Sequence, residues 1–248
     1  MPMNRSRRAV RSCWLGSVPY RQAWDLQRSL VERVRSGEAA DTLLLLEHPH
    51  VFTMGRKATS DHVLWDAGER RRRAVDLIWS DRGGDATYHG PGQLVGYPIL
   101  DLGRQGLDLL VYLRSLERSL ISYLAELGIE SAAVPGLTGV WAGDEKVAAI
   151  GVKSNGGVVS HGFALNLTTD LEYFEGIIPC GLADRKATSV AQLTGRRVAT
   201  AAGARGYAEH FARAFAVDLN WTESTGDAAI ATGQRRSGQA PVVNLVES

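Results

Sequence analysis

A cysteine and a lysine are the two side chains in this sequence with the clearest potential for covalent chemistry. Cys180 lies in the stretch Ile-Ile-Pro-Cys-Gly-Leu at 177–182, after a glycine-rich region that carries Lys146. The thiolate is the reactive form of a cysteine, and a nearby cation favours it over the thiol. A cysteine activated in this way accepts an acyl group as a thioester. The pair therefore predicts a protein that carries activated acyl groups.

Both residues also have an ordinary structural interpretation. A lone cysteine is more often a small buried apolar residue than a nucleophile. Lys146 lies at a turn-to-strand junction, where most lysines are solvated edge charges, and Lys153 is nearly as good a candidate by residue type. Their separation of seven residues predicts that they lie on opposite faces of a strand, so that one of them points away from any site.

Histidines are the other candidates for proton transfer or ligation. His89 and His161 are possible bases, but each can be a structural histidine that fixes its own loop, and we favour that interpretation. His48 and His50 have a metal-like spacing, yet a proline separates them and no carboxylate or cysteine cluster lies nearby. The sequence therefore predicts neither a metal nor a cofactor.

Composition narrows the functional classes. The 248 residues carry a net charge of +1 and are 44% hydrophobic, which is typical of a folded globular chain with a sizeable core. Balanced charge predicts no nucleic-acid partner and no membrane surface as partner. The apolar run after the basic start is too short and broken for a secretory signal. Cys13 and Cys180 form no CxxC pair, so no disulfide framework is expected and a reducing cytoplasm is predicted.

The hydrophobic pattern predicts helices and strands in alternating groups. Apolar residues at helical spacing predict helices over 20–34, 107–127 and 206–216, with Gly128 as a C-terminal cap. Apolar runs and alternating stretches predict strands over 42–47, 75–79, 94–100, 138–141, 146–153 and 158–167, the last three as a meander. A loop is expected over 50–60. Strands grouped into hairpins, with helices between the groups, favour an α+β architecture over a doubly wound sheet.

A glycine-rich segment, 81–93, links two predicted strands. Its glycines allow positive φ and a close approach of the backbone to a ligand. They lack the G-x-G-x-x-G spacing of a dinucleotide fingerprint and precede a strand, not a helix. No Walker loop is present either, so the sequence does not support ATP use.

Three parts of the chain are distinguished by composition. We predict a basic N-terminal extension over 1–15, one catalytic domain over 16–222, and a disordered tail over 223–248 that cannot bury enough apolar surface to fold. Arg70 to Arg73 form a charge run. A solvated loop or helix end is favoured for this run over a docking patch for acidic partners.

Five ordered motifs match one known family. They are Glu-His-Pro-His-Val-Phe-Thr-Met-Gly-Arg at 47–56, Arg-Gly-Gly-Asp-Ala-Thr-Tyr-His-Gly-Pro-Gly-Gln at 82–93, Lys-Val-Ala-Ala-Ile-Gly-Val-Lys at 146–153, His-Gly-Phe-Ala-Leu-Asn at 161–166 and Ile-Pro-Cys-Gly at 178–181. Through them the sequence resembles the lipoyl(octanoyl) transferases over roughly residues 20–215. Five motifs in order are far more specific than any single one.

The resemblance implies the fold of biotin and lipoate protein ligases, in which mixed, mainly antiparallel sheets pack with helices around a central substrate tunnel. It implies transfer of an octanoyl group from octanoyl-acyl carrier protein to the lysine ε-amine of a lipoyl domain. Such domains belong to 2-oxoacid dehydrogenase subunits and the glycine cleavage H protein, and the transfer is the first step of endogenous protein lipoylation. By motif position, Cys180 forms the acyl thioester and Lys146 is its partner. The implied substrate-binding residues are Arg82, Gly83, Gly84, Asp85, Ala86, Thr87, Tyr88, His89, Ala149, Ile150, Gly151, Gly162, Phe163 and Ala164.

Further expectations concern the reaction. The free energy of transferring an acyl group from one thioester to another is close to zero, and transfer from a thioester to an amine is favourable. The reaction therefore needs no nucleotide, which agrees with the absence of a nucleotide motif. A neutral Lys146 is expected to accept the proton of the incoming lysine. Backbone N–H groups of residues 162–164 are expected to stabilise the oxyanion. Asp85 departs from the family, which most often has glutamine there, and the polar turn 154–157 replaces a bulkier segment.

Two rival functions remain open on the sequence. One is an ATP-dependent lipoate or biotin ligase on the same fold, which needs no thiol. The other is a non-catalytic protein that binds acyl carrier protein and sequesters octanoyl chains.

Overall fold

Two β-sheets form the framework of residues 8–178 and 186–223, which the computed structural model describes. Strands are numbered along the chain. The larger sheet contains, in spatial order, β11 (Val217–Glu223), β1 (Arg8–Ser17), β2 (Thr42–Glu47), β6 (Gln93–Asp101), β10 (Val158–Asn166), β9 (Glu145–Asn155), β8 (Leu137–Ala142) and β7 (Ala132–Val134). The smaller sheet contains β4 (Asp76–Trp79), β3 (Val51–Met54) and β5 (Ala86–His89).

Most neighbouring strands run antiparallel. Parallel pairs are β1 with β2, β1 with β11, and β3 with β4. The strands β8, β9 and β10 form the predicted antiparallel meander. The mixed, mainly antiparallel arrangement with helices confirms the predicted α+β class.

Helices cover both faces of the larger sheet. They are α1 (Tyr20–Arg35), α2 (Ala67–Arg72), α3 (Leu102–Gln105), α4 (Leu109–Glu126), α5 (Val190–Thr194) and α6 (Thr200–Phe215), with short 3₁₀ turns at Ser60–His62 and Leu171–Gly176. The apolar stripe of α1 packs on one face of the sheet, while α4 and α6 pack together on the other. No helix in residues 8–178 and 186–223 is long and apolar enough to cross a membrane.

The continuous apolar run of β2 follows from this double coverage. Leu43 and Leu45 face the core shared with α4 and α6, whereas Leu44 and Leu46 face the core under α1. All four leucines are fully buried. A strand that is covered on both faces has no polar alternation, which is why β2 is readable in the sequence as a short apolar run.

Helix boundaries follow local capping. The side chain of Asp108 accepts a hydrogen bond from the Val111 amide at 2.8 Å at the start of α4. Gly128, with φ +83°, follows the end of the same helix, as predicted. Alanine and glycine make up much of the first part of α6, so its start at Thr200 lies six residues before the predicted one at 206.

Two four-residue strands of the smaller sheet were not predicted. The segment predicted as a loop over 50–60 contains β3, and the glycine-rich segment contains β5. The two pair with each other in antiparallel register, with Val51 opposite His89 and Met54 opposite Ala86. Partners so far apart in sequence cannot be recognised from a local pattern.

The predicted N-terminal extension is wrong from Arg8 onward. The strand β1 lies between β2 and β11, and Val10, Ser12 and Cys13 are buried. Cys13 is a core residue, and burial raises the pKa of its thiol to about 11. The arginines around it made the segment resemble a basic extension, so the strand was not predicted. Residues 1–7, and the predicted tail beyond Glu223, lie outside the described residues.

The charge run of Arg70 to Arg73 ends α2 and is largely paired within the chain. Glu69 forms ion pairs with Arg72 and Arg73, and Arg73 also reaches Glu172 at 2.8 Å. Arg70 donates to the carbonyl oxygen of Trp65 at 2.7 Å. These contacts favour the helix-end interpretation over a docking patch.

A close contact inside the sheet gives a stability prediction. A Cβ atom on Gly96 of β6 would lie 2.1 Å from Cε1 of Phe163, whose ring packs against that of Tyr207 at a tilt of 53°, with centroids 4.5 Å apart. We expect Gly96→Ala to lower the free energy of unfolding by about 1–3 kcal/mol, because the overpacked core must shift. Urea denaturation measures this change.

Gly103→Ala is the matched control. Gly103 lies in α3, where the nearest atom to an added Cβ is the Asp101 Oδ1, 3.3 Å away at the end of a movable side chain. Alanine favours helix over glycine, so we expect no loss of stability. Equal destabilisation by the two substitutions would contradict the assignment of the clash to Phe163.

Candidate active site

A cavity lies between β9, β10 and the glycine-rich segment that leads into β5, and we call it the substrate cavity. Lys146 and most of the predicted substrate-binding residues line it: Arg82, Gly84, Asp85, Ala86, Thr87, His89, Ala149, Ile150, Gly151, Gly162, Phe163 and Ala164. Tyr20, Tyr97, Thr138 and His161 line it as well, and they were not among the predicted substrate-binding residues. The cavity is narrow, with a volume of about 50 Å³.

A wider cavity of about 320 Å³ adjoins it, and we call it the outer cavity. The two share Gly84, Asp85, Thr138, Lys146, Ile150 and Gly151. The outer cavity is also lined by Lys57, Leu113 and Leu137, and it includes Gly83, which does not line the substrate cavity. Lys146 therefore lies where the two cavities meet.

Tyr88 is the predicted substrate-binding residue that lines neither cavity. Its side chain packs in the core of the smaller sheet, where its ring stacks on Tyr173 with centroids 5.0 Å apart. Its hydroxyl forms a 2.8 Å hydrogen bond with Nδ1 of His50. Successive side chains of a strand face opposite sides, so Thr87 and His89 reach the substrate cavity while Tyr88 faces away.

Glycine is required where the glycine-rich segment rests directly on β9. The Gly83 amide donates to the Val152 carbonyl at 2.9 Å, and a Cβ on Gly151 would lie 2.8 Å from the Gly83 carbonyl oxygen. A larger residue would push the segment away from the strand. The contact brings Arg82 to the cavity wall.

Arg82 brings a positive charge to this wall. Its side chain is buried, and its guanidinium donates to the Thr53 Oγ1 at 2.9 Å and to the Gly83 carbonyl at 3.1 Å. Thr53 belongs to β3, which sequence analysis had read as a loop. A guanidinium held in this way can contribute to binding a carbonyl or carboxylate group.

A β-bulge changes which residues of β9 share a face. Val140 of β8 pairs with Ala148 and Trp141 pairs with Lys146, so Val147 is an extra residue in β9. Val147 and Ala148 both face the core. The bulge shifts the alternation by one residue.

The predicted placement of Lys146 and Lys153 on opposite faces is therefore wrong. Both lie on the side of the glycine-rich segment, because Lys146 lines the substrate cavity and the Lys153 ammonium forms an ion pair with Asp81 at 2.7 Å. Lys153 does not line that cavity. The site distinguishes the two lysines by position along the strand, not by face.

Lys146 has a side chain in the cavity and a backbone that anchors another segment. Its ammonium lies 4.7 Å from the centroid of the Trp141 ring, a cation–π contact. Its amide donates to the Lys186 carbonyl at 2.9 Å, and its carbonyl accepts from the Thr188 amide at 3.0 Å. Residues 186–188 thus pair with β9 at Lys146, beyond the point where its pairing with β10 ends.

Cys180, the predicted nucleophile, lies outside the described residues, together with the rest of 179–185. The residues on either side of that stretch are described. On one side, the Ile178 amide donates to the His62 carbonyl at 2.9 Å. His62 in turn donates through Nδ1 to Asp85 at 2.6 Å, in the wall shared by both cavities. Asp85, which departs from the family pattern, therefore has His62 as its hydrogen-bond partner.

A buried chain of side-chain hydrogen bonds reaches the other flank. His89 donates through Nδ1 to the Gln93 Oε1 at 2.7 Å, and the Gln93 amide donates to the Asn166 Oδ1 at 2.9 Å. The Asn166 amide donates to the Thr188 carbonyl at 2.9 Å. This series of hydrogen bonds ends at Thr188, whose amide donates to the carbonyl of Lys146. Gln93 and Asn166, the last residues of two of the sequence motifs, therefore hold residues 186–188 in place. Sequence analysis contained both motifs but assigned no role to Gln93 or Asn166.

These contacts favour a structural role for two histidines. His89 also shares a 3.3 Å contact with the Thr53 Oγ1, and burial, followed by the charge of His48, lowers its pKa well below the ordinary value. His48 donates to the Val18 carbonyl and accepts from the Tyr97 hydroxyl, and burial lowers its pKa to about 4. No cluster of His, Cys, Asp and Glu that could hold a metal occurs in the described residues.

His161 differs from the other two. It is a non-glycine residue with a positive φ of +57°, and it lines the substrate cavity. Its Nε2 donates to Asp81 at 2.8 Å, while its buried Nδ1 has no hydrogen-bond partner in the part of the chain that the structure describes. The hydrogen bond from His161, reinforced by Lys153, lowers the pKa of Asp81 well below the ordinary range.

The structure rules out the predicted oxyanion role for two of the three backbone amides. Phe163 pairs with Gly96 on one side and Ile150 on the other, and Ala164 pairs with Val95 and Ala149. In a strand with a partner on both sides, the N–H groups are used in the ladders. The amides of Phe163 and Ala164 are therefore committed to the sheet.

Comparison with known proteins agrees with the fold and the motifs. The profile of the lipoyl protein ligase A/B catalytic domain matches residues 19–212. A curated octanoyltransferase from Solibacter usitatus is 46% identical over 213 residues, which cover 85% of this chain and 96% of that protein. A curated octanoyltransferase from Rubrobacter xylanophilus is 52% identical over 186 residues, covering 74% and 83%.

Solved structures show the same fold at lower identity. A bipartite lipoate protein ligase from Thermoplasma acidophilum superimposes with a TM-score of 0.70 at 15% identity, covering 91% of each chain. The fold is thus that of the lipoate protein ligases, as predicted. By sequence, the chain belongs to the octanoyltransferase family of lipoyl protein ligase A/B catalytic domains.

The hydrogen-bond chain that reaches Thr188 gives a prediction about order near Lys146. Asn166→Asp keeps the shape of the side chain but replaces the donor group by a carboxylate oxygen, which cannot bond to the Thr188 carbonyl. We expect the free energy of unfolding to fall by about 1–3 kcal/mol, because buried polar groups lose their partners. Amide hydrogen exchange at Lys146 and Thr188 should become faster.

Asn220→Asp serves as the control, since Asn220 is exposed on β11. It makes the same chemical change far from the buried chain, and we expect exchange at Lys146 and Thr188 to stay as in the unsubstituted protein. Unaltered exchange at these two amides in Asn166→Asp would show that the hydrogen bond does not hold residues 186–188.

Proposed function

We propose that this protein is an acyltransferase that moves an octanoyl group from octanoyl-acyl carrier protein to the lysine ε-amine of a lipoyl domain, through a thioester on Cys180. The observation that carries the proposal is the meeting point at Lys146. There the substrate cavity, the outer cavity and the segment that follows Cys180 in sequence come together. The identity to curated octanoyltransferases over most of the chain specifies the acyl group.

The first step transfers the acyl group to the protein. The Cys180 thiolate attacks the thioester carbonyl of the carrier, so a new carbon–sulfur bond forms and the bond to the carrier sulfur breaks. The carrier leaves as a thiol with a proton from the Lys146 ammonium, which becomes neutral. A thiol has only a small thiolate fraction at neutral pH, so a neighbouring cation accelerates this step. Lys146 is proposed as that cation, since its ammonium lies in the cavity wall and its backbone holds residue 187, seven positions after Cys180.

The second step transfers the group to the acceptor lysine. The incoming amine attacks the Cys180 thioester, the amide bond forms, and Cys180 leaves as a thiolate. An ordinary lysine, with a pKa of about 10.4, must first lose a proton. Lys146, left neutral by the first step, is proposed to accept that proton and so to return to the ammonium form that favours the thiolate. The second proton, which the nitrogen loses as the amide forms, passes to solvent. One residue thereby serves both steps.

Both macromolecular partners are proposed to approach through the outer cavity. Its lining includes Lys57 and the apolar Leu113 and Leu137, a combination that suits an acyl thioester carried on an arm. The acceptors are proposed to be lipoyl domains of 2-oxoacid dehydrogenase subunits and of the glycine cleavage H protein. We place the reaction in the cytoplasm, where a cysteine nucleophile stays reduced.

The ATP-dependent ligase is the main alternative, because lipoate-protein ligase A, solved with bound ATP, has the same fold with a TM-score of 0.69 at 16% identity. At 16% identity, a similar fold is not evidence that this protein binds ATP. If the protein acylated a lipoyl domain from free octanoate and ATP without a carrier thioester, the ligase would replace our proposal.

The thioester itself is directly testable. Mixed with octanoyl-acyl carrier protein alone, the protein should gain the mass of one octanoyl group, and hydroxylamine should remove it, because thioesters are cleaved by this reagent. Cys180→Ser should fail to gain the mass or should hold it as a far more stable ester. Cys13→Ser is the control, since Cys13 is buried in the core and should not be acylated. Octanoylation that persists in Cys180→Ala would refute the thioester.

Lys146 has two proposed roles, as the cation that favours the Cys180 thiolate and as the acceptor of a proton from the incoming lysine. Different substitutions test them separately. We expect Lys146→Ala to reduce overall transfer by about 10²-fold or more, as is typical when an acid–base group is lost. Lys146→Arg keeps a permanent cation, so it should form the thioester faster than Lys146→Ala yet remain slow in transfer to a lipoyl domain. Single-turnover mass spectrometry measures the two steps separately.

Lys153→Ala is the matched comparison, because it removes another ammonium from β9. Asp81 already neutralises Lys153, and Lys153 does not line the substrate cavity, so we expect a much smaller loss than for Lys146→Ala. Similar losses for the two alanine variants would overturn the assignment of Lys146.

A further inference from the structure

Asp85 is the only acidic residue among the described residues that line the substrate cavity or the outer cavity. It lines both cavities, as Lys146 does, and Lys57 adds a second amine to the outer cavity. The outer cavity, through which the partners are proposed to approach, is thus lined by two lysines and one carboxylate. Opposite charges attract and like charges repel, so an entering ammonium group is attracted by Asp85 and not by the lysines.

The backbone of Asp85 is fixed where the glycine-rich segment enters β5. Its carbonyl accepts a hydrogen bond from the Gly55 amide at 3.2 Å, and the carbonyl of Gly84 accepts one from the Lys57 amide at 3.0 Å. Asp85 directly precedes Ala86, the first residue of β5. The carboxylate is therefore presented from the end of a paired strand.

One oxygen of the Asp85 carboxylate is already used within the chain. Its Oδ1 accepts hydrogen bonds from His62 Nδ1 and from the Ala86 amide, both at 2.6 Å. No residue of 8–178 and 186–223 donates a hydrogen bond to Oδ2. A carboxylate has about four acceptor sites, so Asp85 keeps hydrogen-bonding capacity for a ligand in the cavities that it lines.

Asp85 and Lys146 are each linked to one flank of the proposed nucleophile. The carbonyl of His62, the partner of Asp85, accepts a hydrogen bond from the Ile178 amide at 2.9 Å. The backbone of Lys146 pairs with residues 186–188 on the other flank. The two ionisable groups that the cavities share are thus both connected to the segment that carries the proposed thioester.

We propose that Asp85 binds the ammonium group of the acceptor lysine and orients it beside Lys146 before acyl transfer. This inference rests on the proposed octanoyl transfer and deepens it by assigning the residue that recognises the acceptor. His62 is the positioning residue that fixes the carboxylate. A carboxylate favours the charged form of an amine, so Asp85 serves in binding, and the first proton of the bound ammonium still passes to Lys146.

Asp85→Asn is the informative substitution. Asparagine keeps an oxygen that can accept from His62 and from the Ala86 amide, so the local fold should be retained while the negative charge is lost. We expect the lipoyl-domain concentration for half-maximal transfer to rise by about tenfold, because a charge-assisted hydrogen bond to the substrate is weakened. The rate at saturation should change less, as is typical when binding is lost. Single-turnover transfer from the octanoylated protein measures both quantities.

Hydroxylamine separates recognition of a cation from general damage to the site. It is neutral at pH 7 and cleaves the same thioester without needing a carboxylate partner. We expect Asp85→Asn to leave the rate of hydroxylamine cleavage unchanged while transfer to a lipoyl domain at low concentration becomes slower. Equal slowing with both nucleophiles would assign Asp85 a structural role only and overturn the proposal.

Asp61→Asn is the matched control. Asp61 directly precedes His62, is exposed and lines neither cavity. The substitution removes the same charge at a neighbouring position, so it tests long-range attraction of the acceptor against direct contact. We expect the half-maximal concentration to stay within about twofold of the parent value, since exposed charges contribute little. A rise as large as that in Asp85→Asn would contradict direct contact.

Binding can also be measured without acyl transfer. The probes are a lipoyl domain with its acceptor lysine and the variant of that domain in which methionine replaces this lysine. We expect the parent protein to bind the lysine form about threefold to tenfold more tightly, because the ammonium forms a hydrogen bond to a charged group. Asp85→Asn should bind the two forms alike. Titration calorimetry with the full chain gives the four dissociation constants.

The outcomes separate this proposal from the octanoyl transfer itself. If the parent protein forms no thioester, but its preference for the lysine form disappears in Asp85→Asn, the proposed transfer fails and the binding role of Asp85 stands. If transfer proceeds while Asp85→Asn keeps both the parent half-maximal concentration and the parent preference for the lysine form, the role of Asp85 is overturned.

Discussion

The pairing between the backbone of Lys146 and residues 186–188 is the contact on which the candidate site depends. It joins a bulged strand end to the segment that follows Cys180 in sequence, and it uses main-chain groups that no substitution of Lys146 other than proline removes. Asn166 stabilises this pairing by donating a buried hydrogen bond to the Thr188 carbonyl, and Gln93 in turn donates one to Asn166. The lysine that lines the cavity and residues 186–188 are thereby held by the same backbone contacts.

The two sheets form different walls of the substrate cavity. The larger sheet is a rigid wall, buried on both faces, and its strands β9 and β10 supply the small residues along the substrate cavity. The smaller sheet presents the glycine-rich segment against that wall and holds Arg82 through Thr53. Because the segment touches β9 through glycines, the space between the sheets stays narrow and excludes bulky side chains. A narrow apolar channel with a few fixed polar groups suits an extended acyl chain.

The protonation states of the buried histidines in the site are determined mainly by burial and less by neighbouring charges. His48 and His89 are kept neutral by burial and serve as hydrogen-bonding links, whereas Asp81 stays ionised between His161 and Lys153. Three histidines close together in space thus have different neighbours and different tasks. Residue type alone made His89 and His161 equivalent, and only their partners separate them.

The sequence by itself determined the class of fold, the long helices, the central strands and the family, because periodicity over many residues and ordered motifs are local signals. It wrongly placed Lys146 and Lys153 on opposite faces of β9, because it did not reveal the extra residue that shifts the alternation. It missed β1, β3, β5, β7 and β11, whose partner strands are distant or whose residues are few. The cavity, the bulge and the hydrogen bonds from Asn166 to Thr188 required the tertiary structure, because each depends on residues that meet only after the chain has folded.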